Sequence, residues 1–188
     1  IDEPHRKTTP LELLFDLTFV VAVASVVAQL AHAIEVGHAF EAIGPFLMVF
    51  FTIWWAWNQF TWLASAYDTD DVPYRLFTML QMGGILVLAA GVPMAFDDGN
   101  FAAVTAGYLI LRLGLIATLL RAIKDDPDTR ATAGRYALGI GVVQVGWLLR
   151  LLLPAELAMP SFLVLVVAEL AVPLWADRAK RLSWHPHH

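Results

Sequence analysis

The 188-residue sequence contains no cysteine, so disulfides, thiolate nucleophiles and cysteine-ligated metals are excluded. Charge is scarce as well: Asp, Glu, Lys and Arg make up 15% of residues, where soluble domains carry about 25%. The lysines are Lys7, Lys124 and Lys180, all outside the apolar runs, which leaves no buried amine for a retinal-type Schiff base. His32 is the one histidine inside a predicted helix, so a haem has no ligand pair. No His-Glu-x-x-His zinc pair occurs, and Tyr67-Asp68 has no second carboxylate to work with. The net charge of −5 with scattered basic residues gives no nucleic-acid footprint. The chain reads as a non-enzyme that implies no cofactor and no metal.

What is abundant is apolar sequence, at 59% of residues. Residues 17–34, 42–67 and 76–96 hold no Asp, Glu, Lys or Arg, and each is long enough to cross a hydrocarbon core. Three further runs, near 101–121, 136–153 and 157–176, each carry a single interior charge. One such run could be a buried core helix, but six predict an all-α polytopic membrane protein. The expected helices are about 11–33, 43–67, 75–96, 101–121, 133–153 and 157–177, in a single bundle over 1–188.

Loop charge sets the expected orientation. Arg6, Lys7, Arg75, Arg121, Lys124, Arg130, Arg135, Arg178, Lys180 and Arg181 flank one side, while the alternate loops hold only acids such as Glu35, Glu41, Asp97, Asp98 and Glu156. The positive-inside rule puts both termini in the cytoplasm.

The informative residues are charges inside apolar runs. Glu12 and Asp16 are one helical turn apart on one face, about 6 Å along the axis. An N-terminal cap and dipole role suits Glu12. Asp16 lies past the first turn, and placing it against lipid would cost at least about 2.5–3.5 kcal/mol, so it needs a partner or a polar interior. Arg112 sits near the middle of the fourth run and can reach either Asp16 or Glu169. A simple buried ion pair is the plainer account, although such pairs often only break even in stability. Glu169 is followed four residues later by Pro173, which cannot donate to the Glu169 carbonyl, so a kink is expected beside an intramembrane carboxylate. Freed carbonyls of this kind recur at ion sites in membranes.

The second run reads "TIWWAWNQFTW". Trp54, Trp55 and Trp57 are too central for an interfacial belt, and Asn58 and Gln59 bring amides to the same place. Core packing with one interhelical amide bond is favoured over a cation–π cage. "DTDD" lacks the spacing of a calcium loop, and Asp71 as a helix cap is simpler. The terminal "HPHH" has no fourth ligand in view. Small residues recur every four positions at Ala24 and Ala28, and at Ala133, Ala137 and Gly141, where close helix packing is expected.

Three blocks, "TPLELLFDLTFVVAV", "WWAWNQFTWLASAYDTDDVPYRL" and "SWHPHH", resemble the low temperature requirement protein A family of bacterial membrane proteins. That resemblance implies a bacterial inner-membrane, multi-pass protein. It also implies that this chain is an N-terminal half, its partners being the lipid bilayer and either the missing C-terminal half or a homo-oligomer. "FDLTFVVA" more weakly resembles the first-helix motif of lysosomal-type potassium channels, which are also built from six-helix repeats. Leu14-Phe15-Asp16 stands in place of Phe-Ser-Asp there, so only Asp16 carries over, as a residue organising the first helix. The function expected is transport of protons or small cations through a polar core of Asp16, Arg112, Glu169, Glu12 and Asn58. The alternative is a structural or scaffolding module whose ion pairs only order the bundle.

Overall fold

The computed structural model describes residues 10–66, 71–125 and 130–178. Among these every regular element is helical. They are α1 (Pro10–Glu35), α2 (Ala39–Ala66), α3 (Val72–Ala90), α4 (Val92–Asp97), α5 (Ala102–Asp125), α6 (Arg130–Arg150) and α7 (Ala158–Asp177), with a 3-10 turn at Ala155–Leu157 before α7. Of these, α1, α2, α3, α5 and α7 are long and apolar enough to cross a membrane. The sixth expected span, α6, matches them in length but carries Arg130, Arg135, Gln144 and Arg150, which dilute its apolar character. Arg6, Lys7, Tyr67, Asp68, Lys180, Arg181 and the terminal histidines lie outside the described residues.

Helix ends follow local chemistry. Asp71 caps α3, its Oδ1 accepting from the Tyr74 amide at 3.1 Å, with Pro73 in the first turn where a missing N–H costs nothing. The α1–α2 turn is made at Gly37, φ 85°, where the His38 amide reaches back to the Ala33 carbonyl at 2.8 Å. Helix α2 therefore begins at Ala39, ahead of the expected start near residue 43, and takes Pro45 into its body. The expected helix 75–96 is broken. Pro93 cannot donate into the helix, so α3 stops at Ala90 and α4 restarts after Gly91. At the far end α6 stops at Arg150, and the leucines Leu151, Leu152 and Leu153 that extend its apolar run form an exposed turn.

Two compact units divide the chain between Leu111 and Arg112. In the first, α1 packs against α2 and α3. Phe15, fully buried, stacks on Phe60 with ring centroids 3.5 Å apart. Helix α3 and the first half of α5 meet backbone to backbone. A Cβ on Gly84 would lie 2.7 Å from the Leu111 amide nitrogen and 2.8 Å from the Gly107 carbonyl oxygen. One on Gly107 would collide with the Leu88 amide and the Gly84 carbonyl, and one on Gly91 would meet Ala103. Backbone here touches backbone, which only glycine permits. On the first helix Ala24 and Ala28 are exposed among the described residues, and the buried positions are Phe15, Phe19, Ala22 and Val26.

In the second unit α6 and α7 form an antiparallel hairpin. Gly139 lies against Val172 and Gly146 against Leu165, so close that a Cβ would stand 2.8 Å and 2.6 Å from their side chains. These two glycines mark the seam, Ala133 and Ala137 are buried elsewhere on α6, and a Cβ added to Gly141 would meet nothing within 4 Å. The turn is closed by Arg150, whose Nε and Nη2 both donate to the Ala158 carbonyl at 3.3 and 3.1 Å.

Replacing Gly107 by alanine should destabilise the protein by about 1–3 kcal/mol, the usual range for overpacking. Gly83→Ala, with nothing within 4 Å of the added methyl, should be neutral or stabilising by up to about 1 kcal/mol. Thermal unfolding of both variants in detergent checks this; equal melting points would contradict the backbone contact.

Candidate functional site

The second unit buries two opposite charges together. Arg112, on α5, and Glu169, on α7, are both fully buried, and the Arg112 Nη2 donates to Glu169 Oε2 at 3.2 Å. The other carboxylate oxygen is held from α6. Trp147 Nε1 donates to Oε1 at 3.1 Å and Gln144 Nε2 donates to the same atom at 3.3 Å. Glu169 thus receives donors from two helices besides its own.

Sequence puts these groups on one seam for a simple reason. Thr132, Ala133, Tyr136, Ala137, Ile140, Val143, Gln144, Trp147 and Arg150 are the buried positions of α6, and they recur with the helical period as one face requires. Gln144 and Trp147 are neighbours on that face, and the Gly139 and Gly146 contacts bring α7 near enough for Glu169 to be reached. Trp147 is fixed from the other side by Phe162, edge-on at 5.7 Å, and Arg150 lies 6.0 Å over the Phe162 ring. The indole therefore has little rotational freedom, and its N–H is aimed by packing.

Ionic hydrogen bonds of this kind are stronger than neutral ones, and in a dry interior they offset a desolvation cost of several kcal/mol per ion. Arg112 and Trp147 have only donors to give. Gln144 is different, because its amide carries an acceptor as well.

Of the residues expected to gather, Arg112 and Glu169 do. Asp16 lies in the first unit, exposed on α1, and accepts from the Trp57 indole at 3.0 Å. The structure therefore assigns the Arg112 guanidinium to Glu169 and gives Asp16 a neutral donor. Glu12 is half-buried in the first turn of α1, where a carboxylate suits the helix dipole. Asn58 is exposed and its neighbour Gln59 is buried, so the amide that enters the packing is the other one of the pair. Pro173 lies within α7, which continues through it to Asp177. Gln144 and Trp147 were missed by sequence reasoning. Their signal was available, since a glutamine and a tryptophan three apart in an apolar run share a face and both need partners.

A family model described as bacterial low temperature requirement A protein matches residues 7–188. The chain belongs to that family. An uncharacterized protein of Rhizobium meliloti (strain 1021) is 30% identical over 165 residues, which cover 86% of this chain and 39% of that protein's length. No solved structure matches. Family membership and the five long apolar helices together make this an integral membrane protein.

Breaking the buried pair from one side should be costly. Arg112→Met or Glu169→Leu alone leaves an uncompensated buried charge and should lower stability by about 3–5 kcal/mol, while the double variant should recover most of it. A double-mutant cycle of unfolding midpoints reads the coupling directly, and additive losses would refute it.

Trp147→Phe keeps the ring against Phe162 and deletes only the N–H. Losing a hydrogen bond to a charged group should cost about 1.5–3 kcal/mol, measured by the same unfolding assay, and should be largely absent in the Glu169→Leu background.

Proposed function

We propose that this chain is the N-terminal half of a transport-type protein of the bacterial inner membrane, moving protons or small cations. In this reading it spans the bilayer six times with both termini in the cytoplasm, α6 being the sixth span. Glu169 is the carboxylate that exchanges its charge partner, and Arg112 is the internal cation that holds the site when no transported cation does. The observation that carries the reading is the fully buried Glu169, bound by one cationic and two neutral donors. Intramembrane ionisable residues are rare and expensive, and they tend to mark ion pathways and proton relays. Asp16, with Trp57, is a second and separate carboxylate on α1, and Glu12 and Asn58 flank it in sequence and on α2.

A second reading has its own support. Both oxygens of Glu169 are engaged and neither residue of the pair is exposed, which suits a static ionic lock in a scaffolding module. Flux separates the two. The full-length protein carrying this chain is reconstituted in liposomes and assayed for proton and potassium flux, beside its Asp16→Asn, Glu169→Gln and Arg112→Met/Glu169→Leu variants. Transport predicts that flux is lost in both Glu169 variants, including the well-folded double one. Flux absent from the parent, or unaltered in the double variant, would leave the lock as the role of the pair.

A further inference from the structure

The first unit contains a line of polar side chains that the buried ion pair does not explain. Tyr74, Thr78 and Gln81 follow one another on α3 at helical spacing, so they share one face, and all three are buried. Gln81 is the middle residue of α3, about 13 Å along the axis from Val72. Its exposure is 1%, as is that of Thr78.

Polar side chains on membrane helices usually bond across to a neighbouring helix. Thr78 and Gln81 instead bond within their own helix. The Thr78 hydroxyl donates to the Tyr74 carbonyl at 2.9 Å, and the Gln81 amide donates to the Phe77 carbonyl at a long 3.4 Å, both within α3. The Gln81 Oε1 atom is buried and has no hydrogen-bond partner among the described residues. A buried amide acceptor is normally satisfied by protein or by an ordered water. The residues that follow on the same face, Ile85 and Leu88, are fully buried and apolar, so the polar line begins at the Arg75 end of α3 and stops at its middle.

We propose that Tyr74, Thr78 and Gln81 line a hydrated lane along α3 that brings water, and with it the transported proton or small cation, from the Arg75 side to the middle of the membrane. The lane rests on the transport reading for its cargo, but its hydration is a property of the first unit alone. Hydroxyl and amide oxygens at one-turn intervals provide successive acceptors for water or for a partly dehydrated cation, while the apolar end at Ile85 and Leu88 closes the lane.

This chain contains no cysteine, and any in the rest of the full-length protein is first replaced by serine. Single cysteines are placed at Gln81, Thr78 and Leu88 in the full-length protein in liposomes, and a membrane-impermeant methanethiosulfonate is added to the Arg75 side. Only an ionised thiol reacts, and ionisation requires water, so Gln81→Cys and Thr78→Cys should be modified at least about tenfold faster than Leu88→Cys. If Gln81→Cys fails to fold, Thr78→Cys carries the comparison alone. Modification of the lane cysteines no faster than of Leu88→Cys overturns the proposal. Because labelling does not depend on flux, a failed transport assay and a dry lane are distinguishable results.

Discussion

An ionised carboxylate in the interior of a helical membrane protein must bring its solvation with it, and the second unit is organised around that demand. Water is replaced at Glu169 by a guanidinium on one oxygen and by an indole and an amide on the other. The two donors on α6 are placed by packing that does not involve Glu169. The hairpin seam at Gly139 and Gly146 sets the distance from α6 to α7, Phe162 orients the indole, and Arg150 closes the turn onto the Ala158 carbonyl. A Cβ on Gly139 would stand 2.8 Å from the Val172 side chain, so the close approach of α6 to α7 beside the polar site rests on apolar packing.

The first unit meets a different constraint by a related device. Its α3 and α5 touch at Gly84, Gly91 and Gly107, where no polar pair is needed because dispersion between close backbones suffices. The break at Gly91 and Pro93 then turns α3 into α4 without losing that contact, since Gly91 itself lies against Ala103.

Several features were legible in the sequence for plain reasons. Charge-free runs give helices, Asp71 with Pro73 gives a cap, and an arginine in an apolar run demands a carboxylate. Which carboxylate was not legible. Asp16 and Glu169 were both within reach of Arg112 by counting residues, and the choice depends on packing of elements 57 positions apart. The helix-packing faces were also hidden. In a soluble helix the buried face is apolar and the other polar, but in lipid both are apolar, so Ala24 and Ala28 looked as suitable as Gly84 and Gly107. The break in the third expected helix was readable from Pro93, yet an apolar run of uniform character masked it.

The three donors on Glu169 are not equivalent, and the difference bears on what the site can do. Trp147 and Gln144 come from α6, the helix paired with α7 along the glycine seam, so they stay with Glu169 for as long as the hairpin is intact. Arg112 comes from α5 and supplies the only positive charge among the three. These three donors therefore divide into a neutral pair built into the hairpin and one charge from outside it. On the proposed transport reading, a proton or a small cation takes the place of that charge and leaves the neutral part in the hairpin, whereas on the lock reading the charge stays where an apolar pair of equal volume could often serve as well.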